Sequence, residues 1–475
     1  MNKRTKIVCT IGPASENKTT LEKMFKAGMD VVRLNFSHGN YKQHAILLNN
    51  IRAASKKMKK PVAIMQGLQG PRIRIGEVDK NGIDLTRKEK VILIPESWIG
   101  KKDIPEGVKQ VPLGYANLYK NIKPKNHILI NDGLIDIKVE LIIDGIIYGT
   151  VLKPGIIFSR KGINIPGVEI SARPLTDKDK EDLKFGLKQN VDYVAMSFVK
   201  NANNIKTLRT LIPKSKKTKI IAKIETESAV DNFDKILKEA DGIMVARGDL
   251  GIEIQPSRVP LLQKEFIQKC MLAGKPVIVA TQMLDSMILN PRPTRAEVSD
   301  VANAVIDHTD AVMLSGESAF GKYPVESVKM MAKILERTEN SVFDDVPAHY
   351  LKMKKYTVTD SISQTVNDLV QENKAKAIIV NSISGRTARM IARHRPETRL
   401  IVLTDDEVTQ RQMALIWSAE AYRLPACKNL DALIEKSIEL CKRKKLVKKG
   451  DVVILATGQP LSRSQQMNLT KVQII

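Results

Sequence analysis

Residues 220–229 read IIAKIETESA, an apolar, β-branched run in which Lys223 and Glu225 stand two positions apart and so share one face of a strand. An ammonium and a carboxylate pointing the same way can close a strand end as an ion pair, or they can serve an anion with a cation beside it. Residue types alone leave both readings open. Polar groups recur at the ends of other apolar runs: Arg33, Asn35 and Ser37 alternate in RLNFSH ahead of His38, Arg247-Gly248-Asp249 follows GIMVA, Thr281-Gln282 follows PVIVA, and Ser315-Gly316-Glu317 ends AVMLS. Singly, Arg33 can bond a neighbouring loop and Thr281 can cap a helix. Together they describe a site. Two carboxylates, Glu225 and Asp249, without a cluster of histidines or cysteines suit a hard cation such as Mg²⁺, which takes oxygen ligands and shares them with substrate phosphate. Lys223 and Arg33 beside that cation would form the clamp that a transferring phosphoryl group requires.

Such a site needs many strands to end at one opening. The runs KIVCTI, VVRLNF, VAIM, VDYVAMSF, IIAKI, GIMVA, PVIVA and AVMLS alternate with amphipathic stretches of helix length, over residues 1–70 and again over 168–340. Eight βα units predict an α/β fold of the (β/α)8 TIM-barrel type, whose chemistry gathers at the carboxyl ends of the strands. Between Pro71 and Gly167 the texture changes to short alternating strands separated by the turn signals Asn131-Asp132-Gly133, Asp144-Gly145 and Lys153-Pro154-Gly155. This segment, 71–167, is expected to be a small β domain inserted after the third strand. From 341 to 475 helix and strand patterns return as KAIIVNS, GRTARMIARHRP, RLIVLT, a helix ending near Trp417, another over 430–445, and DVVILAT. They predict a separate open α/β sheet domain.

Composition narrows the function classes. A chain of 475 residues with 43% hydrophobic residues exceeds one ordinary core. No stretch reaches the roughly 18 uninterrupted apolar residues of a membrane helix, and MNKRTKIVCTIGPASE enters a strand-like run without a secretory apolar region, so a cytoplasmic location is expected. Cys9, Cys270, Cys427 and Cys441 lack metal-type spacing and fit reduced thiols, with Cys9 a small core residue. The net charge of +25 favours anionic ligands. It raises nucleic acid as a partner, but aromatics are only 4% and no basic region is interleaved with stacking residues. The densest runs, KKMKK (56–60) and KRKKLVKKG (442–450), fall where helices should end, which is where lysine is favourable. Neither nucleic acid nor membrane is therefore expected as a partner.

The chain resembles the pyruvate kinase family along nearly its whole length. The resemblance is carried by TKIVCTIGPAS (5–15), RLNFSHG (33–39), QGPRIRIG (69–76), NDGLI (131–135), KGINIPG (161–167), LTDKDKEDL (175–183), AKIET (222–226), MVARGDLGIEI (244–254), PVIVATQMLDSMI (276–288) and AVMLSGESAFGKYP (311–324). It implies a barrel with a small β-barrel lid, a regulatory carboxyl-terminal domain and a homotetramer. Its substrates would be phosphoenolpyruvate and ADP, the products pyruvate and ATP, and its metal Mg²⁺ on Glu225 and Asp249. By the same resemblance, Lys223 and Arg33 would stabilise the phosphoryl group in transit, and Gly248 with Asp249 would help seat the substrate. Thr281, with Ser315 and water, would lie where the enolate is protonated, while Arg74, His38 and Lys161 match positions near the nucleotide phosphates.

One motif departs from the family. Where the third strand usually ends in Asp followed by Thr or Leu, this chain reads Gln66-Gly67-Leu68-Gln69-Gly70-Pro71. In potassium-dependent members those two positions join the equivalents of Asn35 and Ser37 in holding K⁺, so half of that site is missing. Arg72 stands where such members carry Glu and potassium-independent ones carry Lys. A tethered guanidinium can replace the ion, worth on the order of 4 kcal/mol against one phosphate charge at about 4 Å in a dielectric near 20. Activity without K⁺ is expected. The run Asn381-Ser382-Ile383-Ser384-Gly385-Arg386-Thr387 resembles the family's effector site, through Ser382, Ser384, Gly385, Arg386 and Thr387, and a phosphorylated effector would bind there; a plain helix cap is the other reading. The later loop, Thr457 to Ser464, lacks the family's usual glycines. A lyase or phosphomutase on a similar barrel would need neither the insertion nor Arg74 and Lys161. A catalytically impaired regulatory or polyanion-binding homologue is the alternative that Gly67 and the positive charge raise.

Overall fold

A computed structural model describes residues 3–102, 107–168, 173–346, 351–352, 355–459 and 467–475. Eight parallel strands close into a barrel: Lys6–Ile11, Val31–Asn35, Ala63–Gly67, Tyr193–Met196, Lys219–Ile224, Gly242–Ala246, Val277–Ala280 and Ala311–Leu314. They coincide with the eight apolar runs. Period two sorts their side chains, because successive residues face opposite sides of a strand. Ile7, Cys9, Val32, Leu34, Ile220 and Ala222 join the core between strands and helices, while Val8, Val31, Ala63, Met65, Tyr193, Ala195 and Ile221 fill the interior. Cys9 is fully buried, as expected. The helices Tyr41–Met58 and Leu430–Arg443 carry Lys56, Lys57, Lys442 and Arg443 in their last turns, where a cation meets the negative end of the helix.

The chain leaves the barrel after the third strand and returns before the fourth. In between lies a six-stranded sheet built on Lys90–Pro95, Lys109–Leu113, His127–Ile130, Ile135–Ile143, Ile146–Lys153 and Ile163–Asn164. Isolated bridges from Arg74 to Gly162 and from Ile75 to Leu113 connect its two edges, so the lid curls into a small barrel. Two of the three turn signals form tight hairpins: Asn131 and Asp132 have φ of 54° and 57°, and Asp144-Gly145 φ of 49° and 82°, whereas Lys153-Pro154-Gly155 is a one-residue break between the strands Ile146–Lys153 and Gly155–Ile157, because Pro154 has no N–H to offer the ladder.

The last domain is a five-stranded sheet whose order places Ala377–Asn381 centrally between Arg399–Thr404 and Val452–Thr457, with Ala419–Arg423 and Leu469–Ile474 at the edges. Leu469–Ile474 runs antiparallel to its neighbour. Neither edge strand stood out in the sequence. This domain also reaches into the foot of the barrel: Leu415 belongs to the interior core, the Tyr193 hydroxyl donates to the Gln412 carbonyl at 2.8 Å, and Arg411 Nε donates to the fully buried Asp192 at 2.8 Å.

Candidate active site

At the carboxyl end of the barrel the inward positions turn from apolar to polar on strand after strand. Val8 is followed by Thr10, Val31 by Arg33, Ala195 by Ser197, Ile221 by Lys223 and Glu225, and Met313 by Ser315, while Met65 is followed by Gly67. The same parity that builds the interior core therefore aims these groups at one place. Of these, Arg33, Ser197, Lys223, Glu225 and Ser315 meet in a cavity of about 170 Å³ that Asn35, Ser37, Arg72, Arg74, Asp249 and Thr281 also line. A more open cavity of about 1200 Å³ adjoins it, sharing Arg72, Asp249, Thr281 and Ser315 and adding Gly248.

Lys223 and Glu225 form the ion pair that their spacing allowed, and Lys223 Nζ also donates to Ser197 Oγ at 3.0 Å. Glu225 Oε2 accepts from the Phe198 amide at 2.7 Å, and Phe198 takes a φ of 53° to offer it. Burial pushes the Glu225 carboxyl above its usual range; Lys223 opposes this and the charge of Asp249 reinforces it. Ser197 and Phe198 were not singled out from the sequence, yet they close VDYVAMSF at the strand end where the other polar groups lie, and that was the available signal. Arg33 is buried, donates to Thr10 Oγ1 at 3.2 Å, and leaves Nε without a partner. Its guanidinium lies over Gly67, where a Cβ would fall 3.1 Å from Nη2 and 3.2 Å from Nε. Burial lowers its pKa, with Glu225 and Asp249 acting the other way.

Thr281 does not cap a helix. It has φ of 73° and Gln282 φ of 55°, and a β-branched residue there costs about 1–3 kcal/mol unless its surroundings hold it. The Gly248 amide donates to Thr281 Oγ1 at 2.7 Å, and that hydroxyl donates to the Ala280 carbonyl at 2.6 Å. Arg72 Nη2 bonds lid residue Asp132 at 2.9 Å and stands 3.5 Å from Asp249 Oδ1. The guanidinium fits because Gly162 has no side chain: a Cβ there would lie 2.6 Å from Arg72 Nε. Among the described residues no group of three or more His, Cys, Asp or Glu converges, and Glu225 and Asp249 are the two carboxylates that line this cavity. Two carboxylates, Glu225 and Asp249, lining one cavity suit a hard cation sharing its ligands with a phosphate.

The remaining positions spread wider. Arg74 lines the cavity and donates to the Arg160 carbonyl at 2.9 Å. His38 is exposed just beyond the second strand, and Lys161 is half-buried on the lid; neither lines the inner cavity. Leu68 packs in the core outside the barrel and brings no oxygen. In the last domain a separate cavity of about 100 Å³ is lined by Ser382 and Thr387 together with Asn381, Thr404 and Thr457. Gly385, at φ 72°, is the N-cap of the helix Arg386–Ala392 and supplies no side-chain cap, so a side-chain helix cap does not account for this run. Ser384, Gly385 and Arg386 do not line that cavity. Of the later loop, Pro460 to Ser464 lies outside the described residues.

Comparison with known proteins meets this geometry from another direction. The pyruvate kinase barrel domain matches residues 2–328 and the pyruvate kinase alpha/beta domain residues 360–473. A pyruvate kinase of Geobacillus stearothermophilus is 42% identical over 480 residues, spanning 100% of this chain and 81% of its own length. Those of Clostridium acetobutylicum and Agrobacterium vitis are each 40% identical, and the match covers 99% of this chain in both, with 99% and 98% of their own lengths. With its barrel, its lid and its last domain all accounted for, the chain belongs to the pyruvate kinase family.

Proposed function

We propose that the cavity between Arg33, Lys223, Glu225, Asp249 and Thr281 is where this chain moves the phosphoryl group of phosphoenolpyruvate to ADP. The observation that carries the assignment is convergence: these residues come from four barrel strands and their loops and line one cavity at the end where such barrels keep their sites. The family's reaction is Mg²⁺-dependent, and Glu225 and Asp249 would hold the ion. When bound, that cation supplies charge neutralisation at the phosphoryl oxygens. Arg33 and Lys223 do the same from the protein side, fixing those oxygens in line with the acceptor. An ADP β-phosphate oxygen attacks phosphorus, the bond to the enol oxygen breaks, and the enolate left behind takes a proton at its methylene carbon. Thr281, with Ser315 and water, stands at that protonation. Gly248 and Asp249 seat the substrate, and Arg74, His38 and Lys161 take the nucleotide side, with the lid excluding water that would compete as acceptor.

Potassium is not required in this reading. A carboxylate and a monovalent cation sum to zero charge, so losing both at Gly67 leaves the site balanced; Arg33 occupies the space instead. Arg72 adds a tethered positive charge beside Asp249. Nothing among the described residues favours a catalytically impaired homologue. We also place the chain in the cytoplasm, as a homotetramer regulated by a phosphorylated effector in the cavity near Ser382 and Thr387. Two observations support parts of this: no described helix is long and apolar enough to cross a membrane, and the sheet's edge strand exposes Ile474.

The test is a coupled assay of pyruvate formation from phosphoenolpyruvate, ADP and Mg²⁺, run with and without K⁺. Turnover in Na⁺ buffer within about 2-fold of that in K⁺ is the expected result, since the charge is tethered. Activation by K⁺ of about 10-fold or more would refute the tethered-charge reading while leaving the phosphotransferase assignment standing.

A further inference from the structure

We propose that Arg247, braced by Asp300, is the positioning residue that holds Thr281 in its left-handed conformation and so keeps its hydroxyl at the site of enolate protonation. The inference rests on the role given to Thr281 above. Two αL residues in succession, Thr281 and Gln282, share one peptide group, and the orientation of its carbonyl follows from their dihedrals. Arg247 Nη2 donates to that carbonyl at 2.8 Å. The same guanidinium engages Asp300 through both terminal nitrogens, at 2.6 and 2.7 Å, a bidentate fork that fixes its plane. Asp300 sits on the helix Arg295–Ile306, anchored by a capping box between Thr294 and Glu297.

The next residue grips the other side of Thr281, where the Gly248 amide holds its hydroxyl. One helix start thus holds Thr281 by carbonyl and by side chain together. Arg247 is not free to contact substrate instead. Its terminal N–H groups go to Asp300, to the Thr281 carbonyl and, at 3.4 Å, to Gln263 Oε1, with Met283 Sδ 2.8 Å from Nη2. Released from this hold, a β-branched residue relaxes toward extended backbone and carries its hydroxyl with it.

The test uses the full chain with Mg²⁺ and compares Asp300→Asn and Arg247→Lys with the parent. Two readouts are taken: kcat and KM for phosphoenolpyruvate, and exchange of pyruvate methyl protons with D2O in the presence of Mg²⁺ and ATP, which runs protonation backwards. Misplacing a reacting group by about 1 Å costs on the order of 10²-fold, so kcat and the exchange rate should fall together by roughly 10- to 100-fold while KM moves less than about 3-fold. Asp300→Glu, which keeps the fork, should recover part of both. If folded variants exchange protons and turn over within about 2-fold of the parent, or lose only thermal stability, the brace is refuted. Arg247→Lys keeps the charge and loses the fork, so the question survives if Asp300→Asn fails to fold. Thr281→Val separates the two readings: should it leave exchange intact, the assignment of Thr281 is wrong whatever Asp300 does.

Discussion

Arg33 and Gly67 come from neighbouring strands, and their fit shows how a missing side chain can be part of a site. The guanidinium needs the room that a hydrogen leaves at position 67, and it keeps an unpartnered Nε there, undiverted by a neighbouring carboxylate. Gly67→Ala should therefore displace Arg33 by a few tenths of an ångström, lowering kcat by about 10-fold with the fold unchanged by circular dichroism. Steady-state kinetics measure it, and a kcat within about 2-fold of the parent would mean the contact is idle. Arg33, Lys223, Glu225 and Asp249 were legible in the sequence because strand parity and residue type suffice to put charge at a strand end. The complementarity of Gly67 with Arg33 was not, since a glycine's meaning depends on which side chain crosses it. The left-handed Thr281 was hidden for a similar reason: threonine in that conformation contradicts its own preference, and only the packing around it accounts for the exception.

Among the elements, the helix Asp177–Lys188 ties the barrel to the entry of the lid. Its capping box joins Thr176 and Asp179, and the other oxygen of the fully buried Asp179 accepts from the Gly70 amide at 3.1 Å. Asp179→Ala would strip a cap and leave that amide unpaired, a loss of about 2–3 kcal/mol. A lowered denaturation midpoint together with faster proteolysis near residues 68–72 is the expected result; faster cleavage elsewhere alone would contradict it. The eight barrel strands were readable as buried runs, and the lid through its turn residues. Ala419–Arg423 and Leu469–Ile474 escaped notice because edge strands are half exposed and carry Glu420, Arg423, Lys471 and Gln473 among their few apolar positions. A sheet edge lacks the continuous apolar signature that a buried parallel strand must have.

Across the whole molecule, the seam between barrel and last domain joins buried charged groups to the apolar plug of Leu415, and hydropathy gave no sign of the charged part. Trp417 is buried with the guanidiniums of Arg4 and Arg395 over its ring, 5.4 and 5.3 Å from the centroid. Nearby, Asp344 stands 3.5 Å from Arg4 and 3.9 Å from His308 Nδ1. Burial pushes the Asp344 carboxyl up to about 7 from 3.8; Arg4 only partly offsets this, and Glu339 adds to it. A carboxyl raised in the folded state contributes stability below its unfolded pKa and loses it as pH rises through about 7. His308, lowered to about 4 mainly by burial, acts oppositely, its contribution fading as pH falls from 6.5. The two slopes oppose each other in part, so the difference between parent and variant is the quantity to read. Relative to Asp344→Asn, the parent should lose melting temperature steadily between pH 4 and 7. A flat difference across that range would show that Asp344 titrates normally.

The insertion of Leu415 into the barrel foot has a further consequence. A chain cut near residue 340 would open the bottom of the barrel core to water, with Tyr193 wetted from below and the Asp192 carboxylate left with Arg52 and the Ile64 amide but without Arg411. The barrel therefore leans on its companion for part of its own core, and the two should unfold as one cooperative unit.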